Sequence, residues 1–229
     1  MFVRNSMTEK VITVHPEDEI LFAQQLIAEH KIRHLPVVDD QRRLVGILSD
    51  RDIRSALPDT ILRILDCTEP EIEQIRTRKV KDVMNPDPVA LSPVDSIQDA
   101  LLMIQREKIG ALPVVDEENR LRGIISTRDL LRSFINVLGI NDPGTLLGIL
   151  SENKLGQMKK IVDIITEEKI STGSILVARH WDGDKRAVFP YLLAQNIQGV
   201  KEKLLKAGFD LIDPLEWHID ELHRDTPPR

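Results

Sequence analysis

KIRHLPVVDDQRRLVGILSDRDI, residues 31–53, returns as KIGALPVVDEENRLRGIISTRDL at residues 108–130. Pro36 and Pro113, Gly46 and Gly123, and Asp52 and Asp129 are all separated by the same 77 positions. The register holds without a gap back to Val3 and Val80, and about 21 of the 51 aligned pairs are identical, which marks an internal repeat. One unit of this size cannot bury its own apolar face, so two copies are expected to pack on each other.

Within each copy, LPVVD is a short apolar run ending in an acid, and LVGILS or LRGIIS is a second run after a polar turn. That reads as a hairpin, with Pro36 and Pro113 opening the first strand, where a missing N–H costs least. Ser49 with Asp52, and Ser126 with Asp129, then place a hydroxyl three residues ahead of a carboxylate at the start of an apolar run, the pattern of a helix N-cap. A helix start directly after a strand presents free N–H groups to an anion. A carboxylate there can also accept hydrogen bonds from a ribose diol. Against this stands the plain alternative that each Ser/Asp pair only caps its helix, at about 1 kcal/mol. Upstream, Asp18–Lys31 reads as a helix with Ile20, Ala23, Leu26 and Ile27 on one side, and Ile97–Glu107 repeats it with Ala100, Met103 and Ile104.

These residues resemble the CBS domain (cystathionine beta-synthase domain), which occurs as tandem pairs, the Bateman module. The resemblance rests on Met7-Thr8 and Met84-Asn85, on Thr13-Val14-His15-Pro16 and Ala90-Leu91-Ser92-Pro93, on the two LPVVD runs, and on the two G-x-x-S-x-R-D runs. It implies an adenosine-type ligand in a cleft between repeats. Asp52 and Asp129 would hold the ribose, Ser49, Ser126, Thr127, Arg51 and Arg128 would face ribose or phosphate, and the backbone near Thr13 and Ala90 would lie near adenine. Pro36, Pro113 and Ala111 belong to the same expected site. The copies differ before LPVV, with Arg33-His34 in one and Gly110-Ala111 in the other, so unequal sites are expected, the Arg33/His34 side suiting phosphate better.

Composition narrows the alternatives. Aromatics make up 3% of the chain and the net charge is −6; scarce stacking platforms and a negative balance both oppose nucleic-acid binding. The short basic run Arg76-Thr77-Arg78-Lys79 is flanked by acids and reads as solvated surface. Cys67 is the single cysteine, so no intrachain disulfide can form. The absence of an apolar run near 18 residues and of a signal pattern leads to the expectation of a cytoplasmic protein without a membrane partner. His30 and His34 stand four apart with no third ligand at metal spacing, so no metal site is expected there.

From Gly139 the turn residues GINDPG form a linker, and the chain beyond it does not match the repeat. Strand at 145–151, helix at 155–169, strand at 174–179, a hairpin turn centred on Asp182-Gly183, strand at 187–194, helix at 197–207 and strand at 209–212 give βαββαβ, a ferredoxin-like arrangement. It resembles the ACT domain. That family's Asp-x-Pro-Gly loop is here Asn153-Lys154-Leu155-Gly156, which keeps the glycine but lacks the proline and the acid. The resemblance makes Asn153 and Gly156 the candidate ligand positions, and the departure favours the alternative of a domain for dimerisation or signal relay without a ligand.

The expected organisation is α+β: repeat 1 at 1–60, a connector at 61–79, repeat 2 at 80–135, a linker at 136–144, an ACT-like domain at 145–213 and a tail at 214–229. CBS repeats followed by an ACT-like domain resemble the AcuB group of acetoin-utilisation proteins. The chain reads as a non-catalytic regulator that binds AMP, ADP, ATP (with or without magnesium) or another adenosyl ligand. It would form a homodimer and signal to a protein partner. The alternatives are a structural module without nucleotide, or an enzyme acting on one, although no nucleophile–base pair or carboxylate dyad is present for the latter.

Overall fold

The computed structural model describes residues 1–56 and 77–212. Cys67, Arg76, most of the expected connector and the tail lie outside the described residues. The chain divides into two compact units, Met1–Arg132 and Ser133–Arg229.

In the first unit the 77-residue offset governs the structure as it does the sequence. Helix α1 (Ile20–His30), strands β1 (His34–Val38) and β2 (Leu44–Ser49) and helix α2 (Asp50–Ala56) recur as α3 (Ile97–Glu107), β3 (Ala111–Val115), β4 (Leu121–Ser126) and α4 (Thr127–Leu138). Each strand pair is an antiparallel hairpin whose register shifts after Val37 or Val114. The acid that ends LPVVD builds the turn. Asp39 Oδ1 accepts from the N–H groups of Gln41 and Arg43, and Asp116 Oδ1 from those of Glu118 and Arg120. This lets Arg42 and Asn119 take left-handed φ of 61° and 60°, a conformation short polar side chains tolerate and arginine adopts only under such constraint.

The repeats exchange their leading segments. Residues 3–5 and 80–82 are single 3-10 turns. Val3 is fully buried among Leu91, Ile97, Leu112 and Ile125 of the second copy, while Val80 is fully buried among Ile20, Leu35, Leu48 and Ile53 of the first. Reciprocal backbone bonds fix the exchange: Thr8 with Ile124 at 2.9 and 3.0 Å, and Asn85 with Ile47 at 2.9 and 3.0 Å. The glycines of the two G-x-x-S runs are explained by the same crossing. A Cβ on Gly46 would stand 2.5 Å from Met84 Sδ, and one on Gly123 would stand 2.5 Å from Met7 Sδ. A smaller apolar cluster of Val38, Leu44 and Leu121, with Val11, Ala90 and Val115 against it, joins the hairpins. Across it Leu44 N bonds Asn119 O and Leu121 N bonds Arg42 O, both at 2.9 Å.

The second unit carries strands β5 (Thr145–Leu146) and β6 (Gly148–Glu152), helix α5 (Gln157–Glu167), strands β7 (Thr172–Asp182) and β8 (Lys185–Leu192), helix α6 (Gln198–Lys206) and strand β9 (Asp210–Ile212). The sheet is antiparallel, with β9 and β8 flanking β6, and β7 on the other side of β8. Both helices bury one face, with Ile161, Ile165, Val200 and Leu204 packed on Ile149, Val188 and Leu192. Two details depart from the expected pattern. The run 145–151 is two strands in one register against β8. The break falls at Leu147, whose N–H bonds Pro190 O at 3.1 Å; proline has no N–H to return. The β7–β8 turn is centred one residue later than expected, on Gly183-Asp184, with Asp182 paired to Lys185 and Gly183 at φ 53°.

Candidate functional site

Ser49 and Asp52 form a reciprocal cap. The Ser49 N–H and Oγ–H donate to Asp52 Oδ2 at 2.8 and 2.6 Å, and Asp52 N–H donates to Ser49 Oγ at 3.2 Å. Ser126 and Asp129 reproduce it at 2.9, 2.6 and 3.3 Å. A third cap, Ser96 with Asp99, has the same geometry at 3.0, 2.6 and 3.1 Å. Capping alone therefore does not distinguish a binding residue. Location does, because the first two caps open onto clefts between the repeats and Ser96/Asp99 lines neither of them.

The first cleft, about 680 Å³, sets Ser49, Asp50, Arg51 and Asp52 against Asp87, Pro88 and Val89, with Lys108 to Ala111 alongside. The second, about 540 Å³, sets Ser126 to Asp129 and Arg132 against Lys10, Val11 and Ile12, with His30 to His34 alongside. Both volumes suit a nucleotide-sized ligand. Because the leading segments cross over, each cleft takes its cap from one copy and its facing wall from the other.

Asp52 is half-buried with Oδ2 committed to Ser49, and among the described residues nothing bonds its Oδ1. In the second cleft Asp129 is only 8% exposed, and Arg132 Nη1 stands 3.5 Å from its Oδ1. Thr127 spends its hydroxyl and its N–H on Gly110 O, at 3.0 and 3.1 Å.

The expected division of Arg33-His34 to one side and Gly110-Ala111 to the other is corrected by the structure. All four residues line both clefts. A Cβ on Gly110 would stand 2.8 Å from His34 Cε1, so the imidazole fills the space the glycine leaves. Burial holds the His34 imidazole below its ordinary pKa; Asp52 pulls it back up while Arg33 and Arg51 push it further down.

Of the other expected positions, Pro113 lines the first cleft, whereas Thr13, Pro36 and Ala90 line neither. Pro36 is buried inside β1. Thr13 and Ala90 immediately precede Val14 and Leu91, whose N–H groups bond Pro36 O and Pro113 O, and the linings stop one residue earlier, at Ile12 and Val89. Lys10, Asp87 and Lys108 join the walls without a local sequence signal, although comparing charges across the 77-residue offset exposes them. Asn153 and Gly156 lie in the exposed β6–α5 loop of the second unit, where Gly156 has φ 87°. No group of three or more His, Cys, Asp or Glu side chains able to hold a metal occurs among the described residues, and no helix among them is long and apolar enough to cross a membrane.

The first unit is thus a tandem-repeat module with two clefts related by its internal symmetry. The CBS domain family matches residues 3–59 and 80–136. A CBS domain-containing protein of Dictyostelium discoideum is 30% identical over 138 residues, 60% of this chain and 94% of that protein. The chain belongs to the CBS domain-containing proteins. An inosine-5'-monophosphate dehydrogenase of Methanocaldococcus jannaschii is 38% identical over 122 residues, but these are 53% of this chain and only 21% of the enzyme; the chain spans about a fifth of that relative's length. A solved Vibrio cholerae protein assigned to acetoin utilization (AcuB) aligns with TM-score 0.51 and 28% identity over 62% of this chain and 95% of that one. The residues matched by the family end at 136, so strands β5–β9 lie outside them.

Proposed function

We propose that the chain is a non-catalytic regulator that binds an adenine nucleotide or related adenosyl compound between its repeats. The observation that carries this reading is the placement of the caps: two of three geometrically alike Ser/Asp caps line symmetric clefts, and among the described residues nothing bonds Asp52 Oδ1. A ribose diol supplies the donors that this oxygen lacks, and the Pro88-Val89 and Val11-Ile12 walls offer apolar surface to a base. Arg51 and Arg128 would meet ribose or phosphate groups. Nucleotide binding would bias the relation between the repeats, and the β5–β9 unit, which we read as an ACT-like module, would carry that bias to a second copy of the chain or to another protein. Coupling of this kind is reciprocal between ligand and partner. The family resemblance and the likeness to the AcuB protein support a role in metabolic regulation inside the cell.

The test is a thermal-shift panel of AMP, ADP, ATP with and without magnesium, and S-adenosylmethionine. A ligand at about 100 times its Kd adds roughly 2.7 kcal/mol of stability. A midpoint raised by one of these compounds, and no longer raised in Asp52→Ala or Asp129→Ala, is the expected result. A panel without any shift, or a shift that survives both substitutions, would remove the nucleotide reading.

A further inference from the structure

The two clefts are one structure used twice, so charge differences at symmetry-related positions are meaningful. Three such pairs differ in the same sense. Asp87 of the first cleft corresponds to Lys10 of the second, Glu107 to His30, and Asp50 to Thr127. In every pair the acid lies in the first cleft. Ion pairing does not reverse the contrast. In the first cleft Glu107 pairs with Arg106, and Asp50 takes up Arg54, a cation of the same cleft. Asp87 has no ion pair among the described residues and lines the same cleft as Asp52. In the second cleft the one acid, Asp129, is met by Arg132, and Lys10, Lys31 and Arg128 have no ion pair among the described residues. Lys31 and Arg128 are matched by Lys108 and Arg51 in the first cleft, and Arg33 and His34 line both, so these cancel from the comparison.

We infer that the clefts divide ligands by charge: the second, where Lys10 joins Lys31 and Arg128, takes the di- or triphosphate form of the nucleotide, and the first takes an adenosyl compound of low negative or of positive charge. This rests on the nucleotide reading above and makes that reading specific. Several phosphate charges gain from each added cation and lose to each added carboxylate, and the gain is largest where solvent is partly excluded. The inference also inverts the expectation from Arg33-His34 alone, which would have given phosphate preference to the side of the first repeat.

The experiment is titration calorimetry of the full chain with magnesium-free ATP and, separately, with adenosine, on the wild type and on Lys10→Asp, Asp87→Lys, Asp52→Ala and Asp129→Ala. Lys10 and Asp87 are both exposed, so their charge reversal leaves the cores intact. ATP is expected to fill one site per chain, to weaken about tenfold or more in Lys10→Asp, since reversal moves the energy by two charge interactions, and to disappear in Asp129→Ala but not in Asp52→Ala. Asp87→Lys is expected to open a second ATP site. ATP lost in Asp52→Ala and retained in Asp129→Ala and Lys10→Asp would overturn the division while leaving nucleotide binding in place. Two ATP sites of equal affinity in the wild type would overturn it equally. Absence of binding by both ATP and adenosine would overturn the division, and a thermal-shift panel that also shows no shift would reject the nucleotide reading with it.

Discussion

Leu35 and Leu112 occupy one position in two copies of a structure, both wholly buried; Lys10 and Asp87 occupy another, both exposed, with opposite charge. The contrast between the core and the cleft walls of this module separates two kinds of constraint. Interior positions are held alike because each copy must fill the same space at near-crystalline density. Wall positions meet no such demand, and there the copies have diverged in charge without disturbing the frame. Binding specificity can therefore differ between the clefts while stability is shared evenly between the cores.

The strongest challenge to that comparison is Leu35→Ala beside Leu112→Ala. Each should cost about 2–5 kcal/mol, as for other buried leucines, and the two costs should be similar in urea unfolding followed by circular dichroism. A loss confined to one copy would mean that the cores are not equivalent. Next come the caps. Ser49→Ala, Ser126→Ala and Ser96→Ala should each cost about 1 kcal/mol of stability, but only the first two should alter nucleotide binding. A change in binding with Ser96→Ala would show that capping, and not placement at a cleft, governs the ligand's response. The smallest effect is expected at His34. Its folded pKa is held below the ordinary value of about 6.5, mainly by burial. Between that ordinary value and the folded midpoint the unfolded chain binds more protons. The contribution of His34 is therefore complete above the ordinary value and is lost as pH falls through the folded midpoint. An NMR titration of the imidazole should give a midpoint under that of a free histidine, and a midpoint above it would contradict the wall described for His34 and Gly110.

Much of the first unit is legible in the sequence because the repeat multiplies every local signal. One Ser-x-x-Asp is weak, whereas two at a fixed offset after matching strands define hairpin, cap and cleft together, and both caps have the geometry their spacing implies. The crossing of Met7 onto Gly123 and Met84 onto Gly46 is hidden, since no local pattern states which copy a leading segment will join. That choice is made by tertiary packing. The same concealment displaces the wall positions from Thr13 and Ala90 to Val11-Ile12 and Pro88-Val89. Lys10 and Asp87 stay inconspicuous because a charge in a short polar stretch carries no meaning until its symmetry mate is known. In the second unit, period and turn residues indicate the element order, but the pairing of Leu147 with Pro190, which breaks a strand, depends on a partner more than 40 residues away in sequence.

The exchange of Val3 and Val80 between cores has the form of a domain swap closed within one molecule. Each copy holds a vacancy shaped for the other's opening turn and offers its own turn in return. Two separate chains bearing one such repeat would satisfy each other through the same two-fold relation. Joining them adds no contact; it replaces an encounter between molecules with one inside a molecule, at an effective concentration in the millimolar range for a short tether. Tandem duplication would thus have fixed a stoichiometry that a symmetric dimer could hold only at sufficient concentration. Within one chain the two halves can also differ in sequence, as two identical chains cannot, and Lys10 and Asp87 carry opposed charges at related positions.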